Sequence, residues 1–258
     1  MLYYRFKFLK FPLLLLIMIM STGWRVASAQ PSDAPDRDKV YEVSRIKKPI
    51  KIDGDWNKKQ WKKIKPLTIQ QFMGAVPSFV PSTQAKVAYD SDNIYIIFKV
   101  DDQFVKSVVT EYNGNVSGDA CVEFFFSPDS QTPEKYFNLE VNAGGTPLIF
   151  YVTKPWTGFT KLDPESEIKQ IEIAHSLPAL IEEEIKTPVT WTIECRVPVS
   201  LLKKYSNVTD PKPGTVWKAN FYKTGSRTSN PHWMTWNYVD HPKPNFHLPE
   251  HFGTLRFK

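Results

Sequence analysis

The chain has 258 residues, 41% hydrophobic, 14% aromatic and 23% charged, a composition that excludes disorder, collagen and coiled coil. Its formal charge of +6 is uneven: residues 1–29 carry four basic side chains (Arg5, Lys7, Lys10, Arg25) and no acid, leaving 29 basic against 27 acidic residues elsewhere. Such a near-neutral body lacks the electrostatic footprint of a nucleic-acid-binding protein.

The N-terminus reads as an export signal. Arg5, Lys7 and Lys10 form a positive stretch, residues 11–20 are mostly apolar, and Ala27-Ser28-Ala29 is a small-x-small cleavage site ahead of Gln30. The apolar run reaches about 15 Å as a helix, half of a hydrocarbon core of about 30 Å, which favours cleavage over anchoring. No cysteine follows the site, so lipidation is not expected, and no later run is long enough for a membrane span. Residues 30–38 then form a polar linker and 39–258 one domain, in a periplasmic or extracellular protein.

The body alternates with the period of a strand. Strands are expected at 39–44, 84–89, 93–100, 120–127, 136–142, 146–153, 168–174, 189–197, 215–223 and 254–257, rich in Val, Ile, Phe, Tyr and Trp and broken by Gly, Pro, Asn or Asp. Short helices are expected at 55–64, capped by Asp53 or Asp55, and at 198–205, opened by Pro198. About ten strands with little helix imply an all-β antiparallel sandwich, because parallel strands need crossover connections. Period two puts Cys121 on the Glu123 face of its strand and Cys195 beside the apolar Trp191 and Ile193, which argues against a disulfide.

Several segments stand out in order. They are Ile52-Asp53-Gly54 with Trp61, Tyr89-Asp90-Ser91-Asp92-Asn93-Ile94-Tyr95, Gly118-Asp119-Ala120-Cys121-Val122-Glu123-Phe124-Phe125 and Tyr136-Phe137-Asn138-Leu139-Glu140-Val141-Asn142. Trp191-Thr192-Ile193-Glu194, Trp217-Lys218-Ala219-Asn220-Phe221 and Pro249-Glu250-His251-Phe252-Gly253-Thr254-Leu255 follow. Together they resemble the carbohydrate-binding module family 9-like domains, within the wider group of DOMON-like β-sandwiches, from about residue 40 to the end.

The resemblance implies an immunoglobulin-like or jelly-roll-like sandwich that binds an oligo- or polysaccharide without altering it, beside a glycan-degrading enzyme or a surface glycan-uptake complex. In sugar-binding members two rings sandwich a sugar while carboxylates and amides take its hydroxyls. Phe246 matches one ring. The second position falls on Val116 or Ser117, with Tyr112 or Trp156 as possible substitutes from neighbouring loops. Glu123 matches the strand carboxylate and Asn142 the amide, whereas an Arg of sugar-binding members is replaced by Glu140, an acceptor in place of a donor.

Each of these residues also has a plainer role. Parity takes Glu123 away from the core of Val122, Phe124 and Phe126, as a surface acid or a ligand partner, and Phe246 is a stacking platform or a loop plug. Trp156 lies in turn chemistry, and Trp236 in a segment crossing the mouth of the sandwich; both are candidate contacts. Trp191 and Trp217 belong to the core.

Enzymatic chemistry finds little support. The five histidines, His175, His232, His241, His247 and His251, form no His-Glu-x-x-His pattern and read as solvated loop residues, and no nucleophile elbow or phosphate-binding loop occurs. No cofactor is required. Relatives with a structural calcium direct attention to Asp90, Asp92, Asp101 and Asp102, oxygen ligands without a diagnostic loop. Alternatives are a haem-binding DOMON-type module using Met73 or Met234, a hydrolase-associated glycan-active module, and a degenerate scaffold that binds a protein. One ring and a shallow site imply micromolar to millimolar affinity.

Overall fold

The computed structural model describes residues 1–3 and 37–258; the expected export signal and most of the linker lie outside the described residues. The strands are β1 (Val40–Arg45), β2 (Leu67–Ile69), β3 (Gln71–Phe72), β4 (Ser82–Tyr89), β5 (Asn93–Asp102), β6 (Val105–Ser107), β7 (Cys121–Ser127) and β8 (Tyr136–Asn142). They continue as β9 (Pro147–Lys154), β10 (Gly158–Lys161), β11 (Glu172–His175), β12 (Ile181–Ile185), β13 (Val189–Pro198), β14 (Val216–Thr224), β15 (Trp233–Thr235) and β16 (Gly253–Phe257). Two short helices, α1 (Lys59–Lys62) and α2 (Val199–Leu202), punctuate them.

One layer runs β10-β9-β8-β7-β14-β16-β1 and the other β1-β4-β5-β13-β11, so β1 belongs to both and the sheet curls into a sandwich. Val40 to Val43 pair with β16, while Ser44 and Arg45 pair with β4, and both pairings are parallel. The described ladders are otherwise antiparallel, as the sequence implied. The exception is physically simple: the path from β1 to β4 passes through α1, β2 and β3, which supplies the crossover a parallel pair needs.

The core lies between the layers. Alternate residues of β7 (Val122, Phe124, Phe126) meet Phe221 and Trp217 of β14 and, across the gap, Ile96 and Phe98 of β5 with Trp191 and Ile193 of β13. Phe98 and Phe221 touch edge-on with ring centroids 6.4 Å apart, which fixes the two layers against each other. Cys121 and Cys195 are buried, unbridged and in different layers.

The expected helix at 55–64 shortens to one turn. Asp53 and Asp55 accept from the backbone N–H groups two residues on, closing turns rather than capping a helix. Buried Glu194 on β13 captures the amides of Asp53 and Gly54, the Lys58 ammonium and the Trp61 indole N–H, and so pins the segment to the sheet. The expected strand at 168–174 begins instead as a single 3-10 turn, Ile168–Gln170. Short strands β2, β3, β6, β10, β12 and β15 have too few alternating residues to stand out in the sequence.

Candidate functional site

The outward face of β7, β8 and β14 builds the site. In register, Tyr222, Glu123, Glu140 and Leu148 form one row across β14, β7, β8 and β9, and Asn220, Phe125, Asn138 and Phe150 form the next. Adjacent-strand partners on one face come within side-chain reach, so Glu123 and Glu140 are neighbours.

That face is covered rather than solvated. The segment from β15 to β16 folds over it, setting Val239, Phe246 and Phe252 on Phe125, Tyr136 and Tyr222 as a second apolar cluster. Glu123 is therefore 1% exposed and Glu140 6%, which corrects the reading of Glu123 as a surface acid: it leaves the main core only to enter this second layer. Where the cover stops, a cavity of about 210 Å³ opens, lined by Glu123, Glu140, Trp156, Trp233, Phe246 and His247.

Its walls are aromatic. Phe246 stacks on Tyr222 with centroids 4.1 Å apart and accepts a hydrogen bond from the Tyr222 hydroxyl at its carbonyl, so it is both plug and wall. Trp156 sits in the tight turn between β9 and β10 with a left-handed backbone, φ 67°, and remains 66% exposed. A bulky side chain in that region is strained, and such strain clusters at functional sites. The Trp156 ring meets His247 edge-on at 4.9 Å. Of the positions considered for a second ring, Val116 is buried beside Cys121 and Leu148, Ser117 reaches the cavity rim, and Tyr112 borders a different cleft.

Electrostatically the floor is unusual. Burial, reinforced by the adjacent Glu140 carboxyl, pushes the Glu123 carboxyl well above the usual range. Burial raises Glu140 to about 7, opposed by the amide of Asn138, which donates to its Oε1. Glu123 Oε1 has no hydrogen-bond partner. His247 is lowered to about 4 by burial and shares a 2.7 Å hydrogen bond with the Tyr136 hydroxyl, so it is neutral at pH 7.

Two expected site residues stand apart. Asn142 shares the outward face but its amide donates to the Val109 carbonyl and the Asp119 carboxylate and accepts from the Thr146 N–H, which ties β8 to the preceding loop. Trp236 is 4% exposed and packs edge-on against Phe221 in the main core. Its neighbour Trp233, which the sequence reading passed over, lines the cavity instead; alternation sends Met234 and Trp236 inward and Trp233 outward, a parity already visible in the sequence.

Nor are all histidines solvated. His232 is fully buried, its Nε2 taking a hydrogen bond from Lys223 and its Nδ1–H donating to the Asn230 carbonyl. Burial and the Lys223 charge lower its pKa to about 3.

The carboxylates considered for calcium take partners within the chain. Asp90 accepts from the N–H groups of Asp92 and Asn93 and from the Tyr95 hydroxyl, Asp101 from Thr190, and Asp102 faces Lys223. Among the described residues no three metal-ligating side chains converge. A larger groove of about 510 Å³ beside β1 and α1 is lined by Arg45, Lys47, Lys48, Lys59 and Lys63, without carboxyl or ring. No helix of the described residues is long and apolar enough to cross a membrane.

No curated protein sequence matches the chain significantly. The family model for carbohydrate-binding family 9 matches residues 53–257. The chain belongs to carbohydrate-binding family 9. Among solved structures, a protein from Bacteroides uniformis ATCC 8492 named as a candidate carbohydrate-binding protein is 27% identical with a TM-score of 0.75, covering 85% of this chain and 99% of its own. A family 9 module from Caldicellulosiruptor kristjanssonii is similar in fold. Its complex with cellotriose gives 16% identity and a TM-score of 0.59 over 85% of this chain and 94% of the module, and its complex with glucose 16% and 0.58 over 85% and 96%. The all-β sandwich of this family 9 chain is thus shared with structures of low sequence identity.

Proposed function

We propose that this family 9 chain binds a saccharide without altering it, in the cavity between Trp156, Trp233 and Phe246. The observation that carries the reading is Trp156: a strained, largely exposed ring held at the lip of a cavity whose floor is two buried carboxyls. Aromatic walls suit the C–H faces of a pyranose, and burial raises both floor carboxyls, Glu140 to about 7, which favours the protonated form that donates as well as accepts hydrogen bonds. At about 210 Å³ the cavity is smaller than the ~300–1,000 Å³ of sites for drug-sized ligands, so a single sugar ring is the unit held. Binding of cellotriose and glucose by the Caldicellulosiruptor kristjanssonii module supports the ligand class.

Export by the leader at residues 1–29 belongs to the same reading, supported by Arg5, Lys7, Lys10 and the Ala27-Ser28-Ala29 site. So does action beside a glycan-degrading enzyme or a surface uptake complex, which rests on the family alone. The test is calorimetric titration of residues 30–258 against plant, algal and host-type oligosaccharides, with a reducing-sugar assay on the same mixtures. Trp156→Ala should weaken binding by about tenfold while leaving folding intact, since a ring contact is worth roughly 1–2 kcal/mol. Unchanged affinity in Trp156→Ala, or released reducing sugar, would contradict the proposal.

A further inference from the structure

The floor of the cavity holds two acids and, among the described residues, no counterion. Glu123 and Glu140 lie side by side on its floor, at 1% and 6% exposure, and neither forms an ion pair among the described residues. One chain donor reaches the pair, the Asn138 amide on Glu140, and Glu123 Oε1 is buried without a partner. The buried cation whose charge reaches Glu123 is engaged elsewhere: the Lys223 ammonium faces Asp102 at 3.3 Å and donates to His232 Nε2 at 2.8 Å and to the Thr224 carbonyl at 2.9 Å. His247 in the wall is engaged by the Tyr136 hydroxyl and brings no charge.

Burying two acids without a cation is costly, and an ammonium between them supplies both the missing charge and the missing donors. The walls point the same way, because the faces of Trp156, Trp233 and Phe246 attract cations as well as sugar C–H groups. A neutral sugar leaves the two acids to keep their own protons, whereas an ammonium lets them ionise against it. We propose that the preferred occupant of this cavity is an amino sugar, a pyranose whose free, protonated amine sits against Glu123 and Glu140. The inference rests on the saccharide reading of the cavity and narrows it to one chemical class.

The experiment compares matched pairs by calorimetry at pH 7: glucosamine with glucose, galactosamine with galactose, mannosamine with mannose, and N-acetylglucosamine as a sugar whose amine is uncharged. At least one amine should bind about tenfold more tightly than its hydroxyl partner, and N-acetylation should abolish the gain. Glu123→Gln and Glu140→Gln, which preserve shape, should each erase most of the preference, and thermal melts of both verify that they are folded. Equal affinity within every pair overturns the amino-sugar inference while leaving saccharide binding in place. Absence of binding by every sugar in this set and in the oligosaccharide panel overturns the cavity reading itself.

Discussion

Glu194→Ala isolates the anchor that shapes the first part of the domain. Glu194 is fully buried on β13 and accepts from the Asp53 N–H at 2.9 Å, the Gly54 N–H at 2.7 Å, the Trp61 indole at 2.7 Å and the Lys58 ammonium at 2.8 and 2.6 Å. Alanine leaves two amides, an indole N–H and a largely buried ammonium without that acceptor, although Lys58 keeps Asp53 at 2.6 Å. Removing one member of a buried charge pair costs about 3–5 kcal/mol, to which the loss of the neutral donors adds little because water enters the vacated space. For a domain of this size, a cost of about 4 kcal/mol lowers Tm by roughly 8–16 °C. Scanning calorimetry of residues 30–258 measures it, with Trp61→Phe as a comparison that removes the indole donor together with part of a fully buried ring and should cost about 2–3 kcal/mol. A fall below about 3 °C in Glu194→Ala would refute the anchoring argument.

Three further outcomes follow from named contacts. Because burial raises Glu140 from 4.5 to about 7, the folded state keeps a proton that the unfolded chain releases, so this group's contribution is complete below pH 4.5 and is lost as pH rises through about 7. Glu140→Gln should then gain on wild type between pH 5 and 8, by up to ~3 kcal/mol at 1.36 kcal/mol per pKa unit, and parallel Tm profiles would argue against it. Gly253→Ala should lose about 2 kcal/mol, or roughly 4–8 °C in Tm, since the new Cβ would stand 2.6 Å from Trp236 Cζ3 and 2.8 Å from the Lys39 carbonyl; an unchanged melt would show that β16 can shift. Dithiothreitol should leave Tm within about 1 °C, because Cys121 and Cys195 form no bridge worth the usual ~2–4 kcal/mol; a larger fall would reveal a disulfide.

Much of the fold was legible because strand alternation is a local property. β8 matches its expected bounds, and β5, β7, β13 and β14 match to within a residue or two, since period two survives in any sheet context. The family could be read from ordered motifs, parity turned Glu123 away from the main core, and Trp191 and Trp217 were correctly placed in it. The parallel setting of β1 was not legible, because pairing partners distant in sequence leave no local trace.

The amino-acid sequence by itself determined which faces of the strands are apolar, where the chain turns, and which chemical groups stand available for a site. Only tertiary structure decided how those groups meet. Register set Glu123 opposite Glu140, and the segment between β15 and β16, folding over them, turned two outward acids into a buried pair with raised pKa values. The turn after β9 brought Trp156 to a lip that no motif marked, while Asp119 occupied Asn142 and the core took Trp236. The division is physical: burial, charge and reach are properties of neighbours in space, and for this protein the neighbours that matter are far apart in the chain.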